Sequence, residues 1–233
     1  MTEEQIKFVS ACIIQSLIYL RKQKIIHRDI MMKNILMDKD RYFNIIDFSF
    51  SINYKDKDNI NNYMVTYNRV SPPEMLKQSK YDYNSDYYRL GSIIYYLIFK
   101  NYPYIIRKEK NITDIFVNYK YIKNYSSSCI DFLNKLIISN FTKRIGFKNI
   151  NELIKHYWFK DFDWIKFKNK QLDSPFKFLK NEEINKELLC SKFDISLKHK
   201  IFHTIQSKKN YYKNLIHNFD YVNENIIKNI SFK

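Results

Sequence analysis

Two polar motifs on either side of a predicted β-hairpin constrain this chain more than any other feature of its sequence. The first motif is His27-Arg28-Asp29 with Asn34 after it, and the second is the pair Asp47-Phe48. Between them lie two short apolar segments, 35–37 and 43–46, joined by a polar turn, which predicts two antiparallel strands. Because a hairpin returns the chain towards its starting point, we expect it to bring Asp47 beside Asn34.

The order and spacing of these motifs resemble the catalytic loop and the metal-binding loop of eukaryotic-type protein kinases. Asn34 follows Asp29 by five residues, and Asp47 follows Asp29 by eighteen. Either motif alone is weak, whereas both at this spacing form a specific signal. The resemblance implies that Asp29 accepts a hydrogen bond from a substrate hydroxyl. It also implies that Asn34 and Asp47 bind the Mg²⁺ of ATP through oxygen ligands.

Other residues of the predicted catalytic loop, 27–34, receive roles from the same resemblance. His27 is expected to be structural, and Arg28 lies where kinases pair an arginine with a phosphate of the activation segment. Met31 stands where a lysine is expected, so Lys33 is expected to supply the displaced charge to catalysis. Ser49 replaces the glycine of the metal-binding motif, which reduces the freedom of the backbone there.

Three later segments agree in order with this resemblance. The activation segment would span 47–74, because Pro72-Pro73-Glu74 resembles its usual end. Asp86 opens a segment similar to the helix start whose aspartate holds the catalytic-loop backbone. Arg144 lies in a segment whose arginine pairs with that glutamate. We therefore predict a buried ion pair between Glu74 and Arg144 and a structural role for Asp86.

The end of the chain narrows the resemblance to the AGC group of kinases, and within it to the cyclic-nucleotide-dependent ones. Segments 140–146 and 156–159 are similar to the end of that group's large lobe. Segment 216–223 resembles its C-terminal hydrophobic motif, with Asp220 at the phosphorylated position. We predict a kinase large lobe over residues 1–164 and an AGC-type C-terminal tail over residues 165–233.

The parts of a kinase that precede the catalytic loop have no counterpart in the sequence apart from one helix. Gly91 and Gly146 are the two glycines of the chain, so it contains no glycine-rich phosphate loop. The predicted fold class is mainly α: a kinase-like large lobe with a small β-hairpin near the catalytic loop, and with the small lobe absent. The apolar face that would meet a small lobe is expected to be exposed and to favour association.

Apolar residues at helical spacing, together with capping residues, predict the helices. Thr2 and Gln5 form a capping-box pattern at the start of a helix that ends near Lys22. The other helices are predicted as follows: from a cap at Ser85 or Asp86 to Phe99, from Asn111 or Thr113 to Tyr119, from Ser127 or Ser128 to Ile138, and from Asn149 to Lys155.

Composition limits the classes of partner and compartment. The chain has 40 Lys and Arg against 24 Asp and Glu, a net charge of +16, which suits anionic partners. The basic residues are scattered and no nucleic-acid motif accompanies them, so a nucleic-acid partner is not expected. Three widely separated cysteines fit a reducing compartment rather than a disulfide framework. The apolar run 93–99 is too short to span a bilayer, and an intracellular, cytoplasmic location is predicted.

Two hypotheses about function remain open. The first is a serine/threonine protein kinase that transfers phosphate from ATP to a protein hydroxyl. Under this hypothesis the chain alone is inactive, because the small-lobe elements that position the ATP phosphates are missing. The expected partner is a protein substrate, and the small lobe would come either from further sequence or from a regulatory or small-lobe-supplying partner. The second is a pseudokinase or docking module without catalysis, favoured by Met31, Ser49 and Tyr67.

Overall fold

The computed structural model describes residues 1–56, 71–78, 82–103, 107–108, 111–112 and 124–176. All of them lie in one compact unit, Met1–Lys177. The helices of these residues are α1 (Glu3–Lys22), α2 (Pro73–Gln78), α3 (Tyr83–Phe99), α4 (Ser127–Ile137), α5 (Asn151–Lys155) and α6 (Trp164–Lys168). The strands are β1 (Ile25–Ile26), β2 (Ile35–Met37), β3 (Phe43–Ile45), β4 (Ile52–Asn53), β5 (Arg107–Lys108) and β6 (Asn111–Ile112).

Helix α1 has the start and the end that the sequence predicts. The Thr2 hydroxyl accepts a hydrogen bond from the Gln5 backbone N–H, and the Gln5 side chain accepts one from the Thr2 backbone N–H. This capping box satisfies two donors that the first turn of a helix leaves unpaired. One face of α1 is buried, from Ile6 to Leu20, and the chain leaves the helix after Lys22.

The predicted hairpin is confirmed. Strands β2 and β3 pair antiparallel, with Ile35 opposite Ile45 and Met37 opposite Phe43. A second short pairing joins β1 to β4, with Ile26 opposite Ile52. Because β1 precedes the 27–34 loop and β4 follows the hairpin, this pairing closes the chain around the loop. Strands β5 and β6 form a third antiparallel pair.

Two predicted helix starts are wrong by a few residues, and one predicted helix begins as a strand. Helix α3 is capped by Asp82, whose carboxylate accepts from the Tyr83 N–H. Asp86 does not cap it, because its carboxylate is bound elsewhere. Helix α4 begins at Ser127, one of the two predicted starts, with Ser126 as its cap. Helix α5 begins at Asn151, two residues after the predicted Asn149. Asn111 and Ile112 form β6, and residues 113–119 lie outside the described residues.

The core lies where α1 and α4 pack against α3. A Cβ atom added at Gly91 of α3 would lie 2.8 Å from side-chain atoms of both Leu136 and Ile137 in α4. This close approach explains a glycine in the middle of a helix, where it normally weakens the structure. The mainly helical fold class is confirmed for the described residues. None of their helices has both the length and the apolar character needed to cross a bilayer.

Residues after α5 complete this core. Phe167 of α6 is 3% exposed, and its ring lies 5.5 Å from that of Phe8 and 5.2 Å from that of Tyr42. The ring of Phe176 lies 4.9 Å from that of Phe43 on β3. The first residues of the predicted tail therefore pack on α1 and the hairpin. The division into a lobe at 1–164 and a tail at 165–233 stays a prediction, and residues 177–233 lie outside the described residues.

Candidate active site

The first turn of α3 holds the backbone of the 27–34 loop in place. The Asp86 carboxylate accepts a hydrogen bond from the His27 backbone N–H at 2.8 Å and one from the Arg28 backbone N–H at 3.0 Å. Asp86 is 2% exposed, and this burial raises the pKa of its carboxyl. Two hydrogen bonds to one carboxylate hold the loop backbone in a single conformation. The structure thus places Asp86 where the sequence predicts it.

Asp29 and Asn34 lie together at the centre of the loop. The Asn34 side-chain amide donates to the Asp29 carboxylate Oδ2 and to the Asp29 backbone carbonyl, both at 2.8 Å. Both residues are 3% exposed. Because the amide nitrogen of Asn34 makes these two bonds, its amide oxygen is the atom available as a ligand. The Lys33 ammonium lies 3.8 Å from Asp29 Oδ2 and is largely exposed.

The hairpin brings the Asp47 backbone to Asn34, as predicted. The Ile46 N–H donates to the Asn34 carbonyl at 2.9 Å, so Asp47 directly follows this contact. Asp47 has a positive φ of 65°, which is uncommon for a residue other than glycine. Ser49, which replaces the expected glycine, donates its hydroxyl to Asp47 Oδ1 at 2.6 Å. One of the two carboxylate oxygens of Asp47 therefore already accepts a side-chain hydrogen bond.

His27 and Arg28 connect the loop to the segment after the hairpin. The His27 ring nitrogen Nε2 lies 3.2 Å from the Ile46 carbonyl, and the ring packs edge-on against Phe48 at 4.8 Å. Arg28 has a φ of 68°, and its Nε donates to the Phe50 carbonyl at 2.6 Å. Strained backbone of this kind is typical of functional sites, because the surrounding contacts must hold it in place.

Burial lowers the pKa of His27 from its usual 6.5, with smaller opposing effects from Asp86 and other acceptors. The hydrogen bonds agree with a neutral ring, because Nδ1 accepts from the Asp29 N–H while Nε2 donates to the Ile46 carbonyl. A proton on Nδ1 would point at the Asp29 backbone N–H, so two hydrogen-bond donors would face each other and that bond would be lost.

We therefore expect the free energy of unfolding to fall as the pH drops below about 6.5. The pKa of His27 is lower in the folded protein than in the unfolded chain. As the pH falls, the unfolded chain therefore binds the proton first, and this binding stabilises the unfolded state. Urea unfolding between pH 8 and pH 5 measures this slope, which should be smaller in His27→Gln. Burial also lowers the pKa of His156, so part of the slope should remain. An identical slope in both proteins would contradict the prediction.

The predicted Glu74–Arg144 ion pair is confirmed, and both side chains are buried. Arg144 donates from Nη1 to Glu74 Oε1 at 2.7 Å and from Nη2 to Oε2 at 2.9 Å. It also donates to the carbonyls of Asn84 and Ile138, and Ser85 donates its hydroxyl to Glu74. The pair therefore joins α2 to the start of α3 and to the chain after α4.

The sequence analysis missed two charged residues, one at the site and one at the hairpin beside it. The first is Arg89 of α3, whose guanidinium Nη1 lies 3.9 Å from Asp29 Oδ1 with the side chain completely buried. The second is Lys170, whose ammonium lies 2.8 Å from Asp38 and 2.9 Å from Asp40 in the hairpin turn. A charged residue inside a strongly apolar helix was the available signal for Arg89. No local signal marked Lys170, because its partners are distant in sequence.

The donor set suits a magnesium ion that also binds phosphate. Asn34 and Asp47 offer an amide oxygen and a carboxylate, which are ligands that Mg²⁺ accepts alongside phosphate oxygens. Among the described residues, no group of three or more His, Cys, Asp or Glu side chains could hold a metal by itself. Tyr67, in the expected activation segment, lies outside the described residues. The roles assigned to Arg28, Asp29, Lys33, Asn34 and Asp47 stay predictions.

Comparison with known proteins agrees with this geometry. The family description "Protein kinase domain" matches residues 1–159, which include the loop, the hairpin and both members of the ion pair. The chain belongs to the protein kinase family. This kinase chain is 28% identical over 182 residues to serine/threonine-protein kinase N2 of Danio rerio, covering 75% of the chain and 18% of that protein.

Two further relatives support the predicted group. The chain is 27% identical to cGMP-dependent protein kinase 2 of Rattus norvegicus, over 73% of the chain and 23% of that protein. It is also 27% identical to serine/threonine-protein kinase sgk-1 of Caenorhabditis elegans, over 75% of the chain and 38% of that protein. The resemblance to AGC-type kinases, including a cyclic-nucleotide-dependent one, is confirmed. The chain spans between 18% and 38% of the length of these three relatives.

Proposed function

We propose that this chain carries the phosphoryl-transfer residues of a serine/threonine protein kinase that uses ATP and Mg²⁺. The main support for the proposal is that the structure brings Asp29, Asn34 and Asp47 together. The Asn34 amide donates to the Asp29 carboxylate, and the N–H of Ile46, the residue before Asp47, donates to the Asn34 carbonyl. Its relatives are serine/threonine kinases, and a protein hydroxyl is therefore the proposed substrate. Lys33 and Arg28 complete the proposed site.

Each residue has a physical task in this proposal. Asp29 accepts the hydrogen bond of the substrate hydroxyl and orients the oxygen for attack. Asn34 and Asp47 would hold Mg²⁺, which neutralises phosphate charge when it is bound. Asn34 also fixes the Asp29 carboxylate by donating to Oδ2 at 2.8 Å. Asp86 holds the loop backbone so that these side chains keep their relative positions.

The positioning of ATP phosphates is the part of the reaction that these residues do not supply. The sequence has two glycines, Gly91 and Gly146, and so no glycine-rich phosphate loop. Positioning contributes much of the catalysis in phosphoryl transfer. We propose that residues 1–233 alone are inactive, and that a small lobe from further sequence or from a partner protein is required. An intact mass well above 28.6 kDa for the native protein would indicate further sequence.

The test of catalysis compares the native protein with its Asp29→Asn variant in a phosphate-transfer assay with Mg²⁺ and ATP. We expect the turnover number of the variant to fall by about a hundredfold or more, because general-base positioning contributes about that much. The control is Asp161→Asn, which changes an exposed carboxylate in the loop before α6 and should leave turnover unchanged. Equal rates for the native protein and Asp29→Asn would refute the proposal.

A docking module without catalysis is the second candidate, and one observation favours it. The Ser49 hydroxyl donates to Asp47 Oδ1 at 2.6 Å, and this bond would weaken the affinity of that oxygen for a metal ion. Under this hypothesis Mg²⁺ binding is weak, and Ser49→Gly should strengthen it. Calorimetric titration of Mg²⁺ with ATP into both proteins measures the difference. No binding by the native protein or by its Ser49→Gly variant would favour the docking module over the kinase.

A further inference from the structure

The charged surroundings of Asp29 include a residue that does not belong to the loop. Arg89 lies on α3, one helical turn after Asp86, and its side chain has no solvent-exposed surface. Its guanidinium Nη1 lies 3.9 Å from Asp29 Oδ1. A buried guanidinium cannot lose its charge at any ordinary pH, so it requires negative groups near it.

The contacts of Asp29 divide between its two carboxylate oxygens. Oδ2 accepts from the Asn34 amide at 2.8 Å and faces the exposed Lys33 ammonium at 3.8 Å. Oδ1 faces Arg89 on the buried side. The hydrogen bond from Asn34 fixes Oδ2, and the electrostatic attraction of Arg89 at 3.9 Å favours one position for Oδ1.

Arg89 also acts on the carboxylate that anchors the loop. Its positive charge favours the ionised form of Asp86, against the burial that raises the pKa of that carboxyl. Arg89 therefore acts electrostatically on the acid that binds the loop backbone, and it lies 3.9 Å from Asp29 of the same loop. Lys33, by contrast, is 61% exposed, and water screens an exposed charge much more strongly.

We propose that Arg89 is a positioning residue for Asp29: it fixes the orientation of this carboxylate from within α3. Lys33 supplies a weaker, solvent-screened charge at the other oxygen. The part of this inference that concerns substrate rests on the proposed function, whereas the coupling between Arg89 and Asp29 does not.

A double-mutant cycle in urea unfolding tests that coupling directly. Arg89→Met should lower the folding equilibrium constant much more when Asp29 is present than in the Asp29→Asn background. The expected difference is about tenfold or more, as for residues in direct contact. Arg89→Lys should recover part of it, because it keeps the charge. If Arg89 only fills space, the losses in the two backgrounds are equal, and that result overturns the inference.

The matched control is Arg21→Met, which removes another arginine whose bonds go to the Tyr87 hydroxyl and the Gly146 carbonyl. Arg21→Met should lower the folding equilibrium constant by the same factor, to within about twofold, whether Asp29 or Asn is present at position 29. If Arg89→Met does not fold, the double variant with Asp29→Asn becomes the test. Recovery of folding in the double variant supports the inference. Continued failure overturns it, because the loss of folding is then not caused by leaving the Asp29 carboxylate without Arg89.

The activity measurement separates this inference from the proposed function. In the native kinase, Arg89→Met should lower kcat by about tenfold or more and change the KM for ATP by less than about twofold, because it acts through Asp29. Coupling in the unfolding cycle without any phosphate transfer by the native protein would refute the proposed function alone. Phosphate transfer without coupling would refute the role of Arg89 alone.

Discussion

Removing the Glu74 carboxylate is expected to lower the free energy of unfolding by about 3–5 kcal/mol, because the Glu74→Ala variant leaves a buried charge on Arg144 without its partner. Arg144 is 1% exposed and Glu74 is 7% exposed, so water cannot replace the lost bonds. Both terminal guanidinium nitrogens, Nη1 and Nη2, donate to Glu74. Urea unfolding of the two proteins, followed by far-ultraviolet circular dichroism, measures the loss.

The partner of Glu74 provides the decisive comparison. Arg144→Met should be similarly destabilising, and the double variant should lose much less than the sum of the two single losses, because no charge is then left unpaired. The control is Asp161→Asn, which breaks an exposed contact with Lys160 and should change stability by less than about 1 kcal/mol. Additive losses for Glu74 and Arg144 would show that the two residues do not act as a pair.

The Asp86→Ala variant is expected to lose about 3 kcal/mol or more, since each hydrogen bond to a charged group contributes about 1.5–3 kcal/mol. It removes the acceptor for the backbone N–H groups of His27 and Arg28. Both hydrogen bonds are buried, and hydrogen exchange of these two amides reports their release directly. We expect their exchange to accelerate more than that of the amides in the middle of α1.

A substitution at the start of α3 distinguishes an effect on the loop from an effect on the stability of the helix. Asp82→Ala removes the N-cap of α3 and should cost about 1 kcal/mol. It should leave the protection of the His27 and Arg28 amides nearly unchanged. If Asp82→Ala and Asp86→Ala exposed these amides equally, Asp86 would act by stabilising α3 and not by holding the loop.

The success of the sequence analysis differs between local and long-range features. The capping box at Thr2 and Gln5 depends on residues three apart, and the hairpin on one turn, so both follow from local chemistry. The wrong start of α3 arose because Asp86 has the side chain of a good cap. Its carboxylate binds the 27–34 loop instead, and Asp82 caps the helix.

The sequence by itself determined the order of the motifs. Through their resemblance to kinase motifs, this order predicted the pairing of Glu74 with Arg144 and the anchoring of the loop by Asp86. A motif series specifies these pairs because each role recurs at a recognisable position. Only the tertiary structure decided that Arg89 faces Asp29, that Ser49 binds Asp47 and that Lys170 holds the hairpin turn. These contacts depend on side-chain direction and on packing between segments, which neither periodicity nor motif spacing specifies.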